Sequence, residues 1–257
     1  MIQREKLIKA LEQIQGRKTE HPSIVQSNDL ERTDRVMLVK AGWLRPIIRG
    51  WYLLVRSDAP TKDRTVWYAH FWEFLSVYLK KHYKNEYCLS AEASLDILVE
   101  KPLMPKKIII LTKKGGGGKP RLLPYDTSLL VYSDPKNIPK EKISVRGLQV
   151  MPLSLALCRV TTTYFKNSPI DAEVALRSIR NSSEISEHIL KYNLKKSGER
   201  LSGAFEVLGL NKLAKELKMQ LEEFGMNIRP ENPFMEETPL IKSKRPISLT
   251  LGTSKSH

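Results

Sequence analysis

The chain has 257 residues, which is enough for two ordinary domains and a substantial buried core. Its 41% hydrophobic and 28% charged residues are typical of a soluble globular protein, and no apolar run has the length of a membrane span. The two cysteines, Cys88 and Cys158, exclude a disulfide framework and a cysteine zinc cage, and they favour a cytoplasmic location. The net charge of +15 favours a polyanion such as nucleic acid, or a strongly acidic protein, as partner.

The positive charge is unevenly distributed along the chain. Residues 1–56 contain eleven Lys or Arg and six Asp or Glu, whereas residues 101–147 contain eleven against three. The most basic segment therefore lies in the middle of the chain. Two interpretations remain open: one DNA duplex contacts both regions, or the middle segment binds a separate acidic protein.

The first elements follow from apolar spacing and glycine positions. Spacing over residues 2–15 predicts an amphipathic helix rather than a signal peptide, and residues 23–27 are predicted as a short second helix. A third helix is predicted over residues 32–41, and the following Gly42 is predicted to end it. A hairpin follows directly, with Gly50 at its tip.

This order of helices and hairpin is the layout of a winged helix-turn-helix, and it predicts a DNA-binding domain over residues 1–56. The third helix would enter the major groove, and the hairpin, or wing, would lie along the phosphates. The predicted DNA contacts are Arg32, Thr33, Arg35 and Lys40 on the helix and Arg45 and Arg49 on the hairpin. Of these, Thr33 is expected to read a base edge.

Two alternatives apply to these contacts. Arg35 can instead pair with Glu31, and Arg45 can simply occupy an exposed strand position. Because Asp29, Glu31 and Asp34 would repel phosphate, only one face of the helix is expected to approach DNA.

The remainder is predicted as an α+β domain over residues 57–228, with a small central sheet and a helical C-terminal region. An aromatic-rich helix over residues 64–83 is expected in the core, and residues 90–99 form another helix. The predicted strands are residues 107–112, 121–125, 129–132, 143–145 and 148–151. Helices follow Pro152, and residues 229–257 are predicted as a flexible basic tail.

The run Gly115-Gly116-Gly117-Gly118-Lys119 invites comparison with a phosphate-binding loop. A Walker A loop needs Gly at the first position and Ser or Thr after the Lys, but Lys113 and Pro120 occupy these places. The run is therefore interpreted as a mobile basic loop. The cations predicted to contact phosphate there are Lys113, Lys114, Lys119 and Arg121.

No compact catalytic motif, metal-ligand spacing or cofactor motif stands out, so we expect a binding protein rather than an enzyme, with no cofactor and no metal. One rival hypothesis is a nuclease-like enzyme that uses Asp126, Asp134 or Glu141. The other is a protein-interaction module whose basic middle segment docks an acidic protein.

Several short motifs carry a resemblance to a known family. They are Lys40-Ala41-Gly42-Trp43-Leu44, Arg49-Gly50-Trp51-Tyr52-Leu53, residues 89–95 and Gly147-Leu148-Gln149-Val150. In this order, over roughly residues 25–180, the chain resembles the AbiEi-type antitoxins of type IV toxin–antitoxin and abortive-infection systems. The resemblance implies an autorepressor that binds an inverted repeat in its own promoter, as a monomer or weak dimer. It also implies a C-terminal part that counters a nucleotidyltransferase-type toxin.

The N-terminal module also resembles the N-terminal half of some Fic-domain proteins. The segment Glu231-Asn232-Pro233-Phe234 is similar to the lead-in to a second domain in those proteins. Because the Fic motif itself is absent from the sequence, adenylylation by this chain is not expected.

Overall fold

The computed structural model describes residues 2–59 and 64–235, with side chains from Arg4 onward. Its helices are α1 (Ile2–Gln15), α2 (Arg32–Lys40), α3 (Thr65–Tyr83), α4 (Ala91–Leu98), α5 (Leu153–Arg159), α6 (Thr162–Asn167), α7 (Pro169–Arg177), α8 (Ser183–Tyr192), α9 (Lys195–Val207) and α10 (Asn211–Glu223). Its strands are β1 (Ile24–Gln26), β2 (Leu44–Ile48), β3 (Trp51–Leu54), β4 (Tyr87–Leu89), β5 (Lys107–Thr112), β6 (Arg121–Leu123), β7 (Thr127–Ser133), β8 (Ile143–Val145) and β9 (Leu148–Val150). The fold class is α+β, as predicted.

An antiparallel three-stranded sheet with the order β1-β3-β2 organises the N-terminal unit. The predicted helix stop at Gly42 and the predicted hairpin tip at Gly50 are confirmed, with φ of +80° and +83°. The prediction of a helix over residues 23–27 is wrong. Residues Ile24–Gln26 pair with β3 as a strand, and a single 3-10 turn, Ser27–Asp29, follows.

Alternate residues of β3 face two different layers. Tyr52 and Leu54 pack with α1 and α2 in a small core that also holds Ile14 and Leu38. Trp51 and Leu53 point the other way, into a core formed with α3. The sheet is therefore sandwiched between the first two helices and α3.

A second sheet has the strand order β4-β5-β7-β6, in which β5 and β7 are parallel and the other pairs are antiparallel. Strand β4 is absent from the prediction. Because β6 lies beyond β7, the connection after β5 crosses the carboxyl end of β7. The hairpin β8–β9 forms a separate two-stranded sheet, as its Arg146-Gly147 turn predicts.

One continuous core joins the first two sheets. Trp51 lies edge-on to Phe74 and Tyr78 of α3, and Leu129 and Val131 of β7 belong to the same buried cluster. Residues on both sides of the predicted boundary at residue 56 therefore share this core, and the division into domains stays a prediction.

The helices α5–α10 enclose the other large core. Ile228 is buried in it, the ring of Phe234 lies edge-on to Phe165, and the N–H of Glu231 donates to the carbonyl of Glu199 at 3.0 Å. Residues 229–235 thus pack against the helical region, although the predicted tail begins at residue 229. The rest of that predicted tail, residues 236–257, lies outside the described residues.

None of the helices within residues 2–59 and 64–235 combines the length and the apolar character of a membrane span.

Candidate nucleic-acid interface

Helix α2 presents one narrow exposed face. Arg32, Thr33, Val36 and Lys40 are exposed, whereas Leu38 is fully buried. At about 100° per residue, the four exposed positions span an arc of about 100° around the helix. This arc carries two cations, one hydroxyl and one apolar group, and no carboxylate.

The nearby acidic residues do not lie on this arc. Asp34 projects about 100° beyond its edge on the helical wheel. The Asp29 carboxylate accepts a hydrogen bond from Arg17 at 2.5 Å and another from the backbone N–H of Gln26 at 2.8 Å. The exposed arc of α2 therefore carries no acidic residue. That only one face of the helix approaches DNA stays a prediction.

Arg35 makes internal contacts. Its Nη1 donates to the carbonyl of Ser27 at 2.6 Å, and its guanidinium lies 6.0 Å from the centre of the Tyr52 ring. The alternative pairing of Arg35 with Glu31 does not occur, because no ion pair joins the two residues in the described part of the chain. Arg35 fixes α2 to the preceding 3-10 turn. Its role as a DNA contact stays a prediction.

The two arginines of the hairpin have different surroundings. The half-buried Arg45 donates from Nη2 to the carbonyl of Ala59 at 2.5 Å. This hydrogen bond joins β2 to the segment that follows β3. Arg49 is exposed at the tip. The carbonyl of Gly50 accepts the N–H of Ser27 at 2.9 Å, so the tip is anchored to the turn that precedes α2.

The last turn of α3 extends this basic surface. Lys81 hydrogen-bonds to the side chain of Gln26 and lies 5.5 Å from the centre of the Trp51 ring. Lys80 and Lys84 are exposed beside it. These cations are absent from the predicted contacts because the aromatic pattern of this helix predicts a core element. A cluster of Lys in a final helical turn is the sequence signal that points to them.

The predicted lysines after β5 lie close to this end of α3. Lys113 and Lys114 share a cleft of about 430 Å³ with residues 81–84 and Glu86. Lys113 donates to the Glu86 carboxylate at 3.0 Å, and this hydrogen bond lowers the pKa of Glu86. Lys114 is exposed.

Arg121 and Lys119 have different surroundings. Arg121 is half-buried, and its Nη1 donates to the Tyr78 hydroxyl in the aromatic core. The phosphate contact predicted for Arg121 stays a prediction. Lys119 is exposed at the start of β6, at the same sheet edge as the carboxyl ends of β5 and β7.

The glycine run docks on β7. The hydroxyl of Thr112 donates to the carbonyl of Gly115 at 2.9 Å, and Gly117 forms an isolated β-bridge with Tyr132. A Cβ at Gly116 would lie 2.5 Å from the carbonyl oxygen of Val131. The loop lies this close because the chain must cross over β7 to reach β6, and glycine permits that approach.

The acids of the nuclease hypothesis are not brought together. Asp126 and Asp134 flank opposite ends of β7, so their Cα atoms are about 25 Å apart along an extended strand. Glu141 instead pairs with Lys191 and Tyr192. Among the described residues, no group of three or more His, Cys, Asp or Glu is placed to hold a metal ion.

Comparison with known proteins adds no family assignment. No protein-family model matches the chain, and a search of curated proteins finds no significant match. The exposed cations and their geometry are therefore the observations that bear on function.

Proposed function

We propose that this chain is a cytoplasmic DNA-binding transcriptional repressor and antitoxin, whose N-terminal unit is a winged helix with α2 as recognition helix. The single observation that carries the proposal is the acid-free exposed arc of α2 together with the exposed Arg49, whose hairpin tip is anchored to the turn that precedes α2. A helix and a basic ribbon fixed to one another in this way suit simultaneous contact with a groove and its flanking phosphates.

The topology of the N-terminal unit supports this reading. The chain runs helix, strand, short helical turn, helix and hairpin, and the first strand pairs with the last in the order β1-β3-β2. In a winged helix this order places the third helical element in front of the sheet and the hairpin at its side. Here the second helical element is reduced to the 3-10 turn Ser27–Asp29.

Each exposed side chain has a role in the proposed complex. Arg32, Lys40 and Arg49 bind phosphate oxygens or guanine edges. Thr33 reads a base edge, and Val36 contacts a thymine methyl group. The arginines with internal contacts hold this surface in shape rather than touching DNA.

A second set of phosphate contacts comes from the lysines beyond the winged helix. Lys81 and Lys84 at the end of α3 continue the cationic surface from the hairpin tip towards Lys113 and Lys114. This continuity favours one duplex that contacts both basic regions of the chain. A longer footprint of this kind increases the salt dependence of binding, because each phosphate contact releases counterions.

Repression follows from occupancy of the promoter. Two copies bind an inverted repeat, since a two-fold operator presents two equivalent half-sites, and they exclude the polymerase sterically. The region from α4 to α10 is the part proposed to counter a nucleotidyltransferase-type toxin, in line with the resemblance to AbiEi-type antitoxins.

The Arg49→Ala variant tests the DNA-binding proposal. The side chain is exposed at the tip, so its loss removes one phosphate contact without disturbing the core. We expect weaker binding and a decrease of about one in the slope of log affinity against log salt. The measurement is a titration of a labelled promoter duplex with the full chain at several salt concentrations.

Arg180→Ala is the matched control, because Arg180 is an exposed arginine in the helical region. It should leave both affinity and slope close to those of the wild type. An Arg49→Ala variant with unchanged affinity and slope would remove the hairpin from the proposed mechanism.

A further inference from the structure

A second cleft, of about 520 Å³, lies where the four-stranded sheet meets the helical region. Its walls come from the start of α4, the chain after β7, and the segments around the ends of α5, α8 and α9. The volume is within the range of roughly 300–1,000 Å³ that is usual for small-molecule sites. This cleft takes no part in the proposed DNA interface.

Arg200 lies on the cleft wall, and only part of the hydrogen-bonding capacity of its guanidinium is satisfied by the protein. Its Nη2 reaches the carbonyl of Cys158 at 3.4 Å and the hydroxyl of Ser197 at 3.2 Å, and its charge lies 5.5 Å from the Phe165 ring centre. Its Nε is buried without a hydrogen-bond partner among the described residues. A buried donor without a partner is costly, so the protein does not saturate the hydrogen-bonding capacity of this guanidinium.

Arg159 lines the same cleft and is held in a fixed plane. Its Nη1 donates to the carbonyl of Asn137 at 2.5 Å, and its guanidinium stacks 4.5 Å from the centre of the Tyr192 ring. No ion pair joins Arg159 or Arg200 to a carboxylate in the described part of the chain. Two guanidinium groups on the wall of one cleft are therefore left without a carboxylate partner, and a guanidinium is a good donor to an oxyanion.

The remaining charged groups of the wall restrict the kind of ligand. Lys136 adds a third cation, and the Asp134 carboxylate is already bonded to Asn137 at 2.7 Å. Glu92 accepts one hydrogen bond, from the N–H of Thr161 at 3.4 Å, and acts on Arg200 at longer range. A free carboxylate oxygen beside an oxyanion site suits a ligand that also carries a hydroxyl donor.

The buried thiol on the wall favours binding over nucleophilic chemistry. Burial raises the pKa of the Cys158 thiol to about 12, so the nucleophilic thiolate is scarce near neutral pH.

We propose that this cleft binds a small phosphate ester of a polyhydroxyl compound, such as a sugar phosphate or a nucleoside monophosphate. The phosphate lies between Arg159 and Arg200, and a ligand hydroxyl donates to Glu92. The proposal goes beyond DNA binding and does not depend on it, because none of these residues belongs to the basic surface of α2, the hairpin and α3.

Isothermal titration calorimetry of the full chain at physiological salt tests this site. The probes are ribose 5-phosphate, adenosine monophosphate, inorganic phosphate, unphosphorylated ribose and citrate. Saturable binding of the two phosphate esters is expected, with weaker binding of inorganic phosphate and none of ribose. Citrate binding tighter than either ester would overturn the assignment to phosphate esters, as would the absence of binding by both esters.

Arg159→Gln and Arg200→Gln are each expected to weaken ester binding by about tenfold or more, since each removes charge-assisted hydrogen bonds. Circular dichroism and the thermal midpoint establish that each variant is folded. Because Arg200 also contacts the end of α5, Lys136→Gln at the exposed rim is the second variant, with a smaller loss expected.

Arg49→Ala is the control for non-specific binding to this basic chain, and it should bind the esters like the wild type. Ester binding that is lost in Arg49→Ala but retained in Arg159→Gln, Arg200→Gln and Lys136→Gln would place the site elsewhere and refute the proposal.

Discussion

Asp96 is a carboxyl group whose surroundings disfavour its charge. It is 8% exposed on α4, where the Tyr164 hydroxyl donates to it at 3.0 Å and Lys101 lies 3.5 Å away. Lys101 also pairs with Asp171 at 2.9 Å, so the cluster joins α4 to α7. Burial is the strongest influence and raises the pKa of Asp96 despite these partners.

This shift predicts a pH-dependent contribution to stability. In the unfolded chain Asp96 ionises at its ordinary, lower pKa, whereas the folded state retains the proton to higher pH. The stability that Asp96 contributes is therefore greatest in acid and falls as pH rises from the ordinary pKa through the raised one. Asp96→Asn removes this dependence.

Urea unfolding of the wild type and Asp96→Asn across the acidic pH range measures the effect. The difference in unfolding free energy, wild type minus variant, should decrease with rising pH and then level off. An increase over the same range would show that the ion pair with Lys101 dominates over burial.

The fate of single arginines shows where sequence reasoning reaches its limit. Arg35, Arg45 and Arg121 sit in basic segments just as Arg49 does, yet each of the three donates to a group of the protein. A long side chain can extend into solvent or fold back, and the choice depends on acceptors distant in sequence. Arg49 was predictable as exposed because the tip of a two-residue turn has no neighbouring layer.

At the scale of elements, the connection between β5 and β6 depends on its glycines. Gly115 and Gly116 both have positive φ, of +76° and +110°. Of these two, Gly116 approaches the backbone of β7, whereas a Cβ at Gly115 would meet nothing within 4 Å. Substitutions at Gly115 and Gly116 therefore distinguish the destabilisation due to backbone strain from that due to a steric clash.

Gly116→Ala should destabilise the fold by about 3 kcal/mol, because strain at positive φ adds to the clash with Val131. Gly115→Ala, the matched control, should cost only about 1 kcal/mol from backbone strain. Chemical denaturation of both variants measures the difference. Equal losses in the two variants would mean that the loop does not dock on β7.

Element predictions succeeded where a local signal was strong. Helical periodicity identified α1 and α3, and the glycine signals at Gly42 and Gly50 identified the end of α2 and the hairpin. Strand β4 was missed because its three residues are all buried and show no alternation. The segment at β1 was misassigned because its conformation is set by pairing with β3, a contact that local propensity does not encode.

At the scale of the molecule, the N-terminal unit relies on α3. The sheet face that carries Ile24, Trp51 and Leu53 is buried in a core to which α3 contributes large side chains such as Phe74 and Tyr78. Without α3 this face would be exposed to water, and the loss of apolar burial is large for a unit of fewer than 60 residues.

A fragment of residues 1–59 is therefore expected to be largely unfolded at room temperature, although the full chain is folded. Dispersion of amide signals in NMR spectra and cooperativity of thermal unfolding distinguish the two outcomes, with the full chain as control. A fragment that unfolds cooperatively with well-dispersed signals would establish the N-terminal unit as an autonomous domain.

The positions of the tryptophans allow the unfolding of this part of the protein to be followed optically. All four, Trp43, Trp51, Trp67 and Trp72, lie in the N-terminal unit or on α3, and the chain beyond residue 72 has none. Tryptophan fluorescence, excited at a wavelength that tyrosine does not absorb, thus reports on the half of the protein that carries α2 and the hairpin. Far-UV ellipticity instead reports on all the helices of the chain, α5–α10 included. Comparison of the two signals therefore distinguishes unfolding of the tryptophan-bearing half from unfolding of the whole chain in one unlabelled sample.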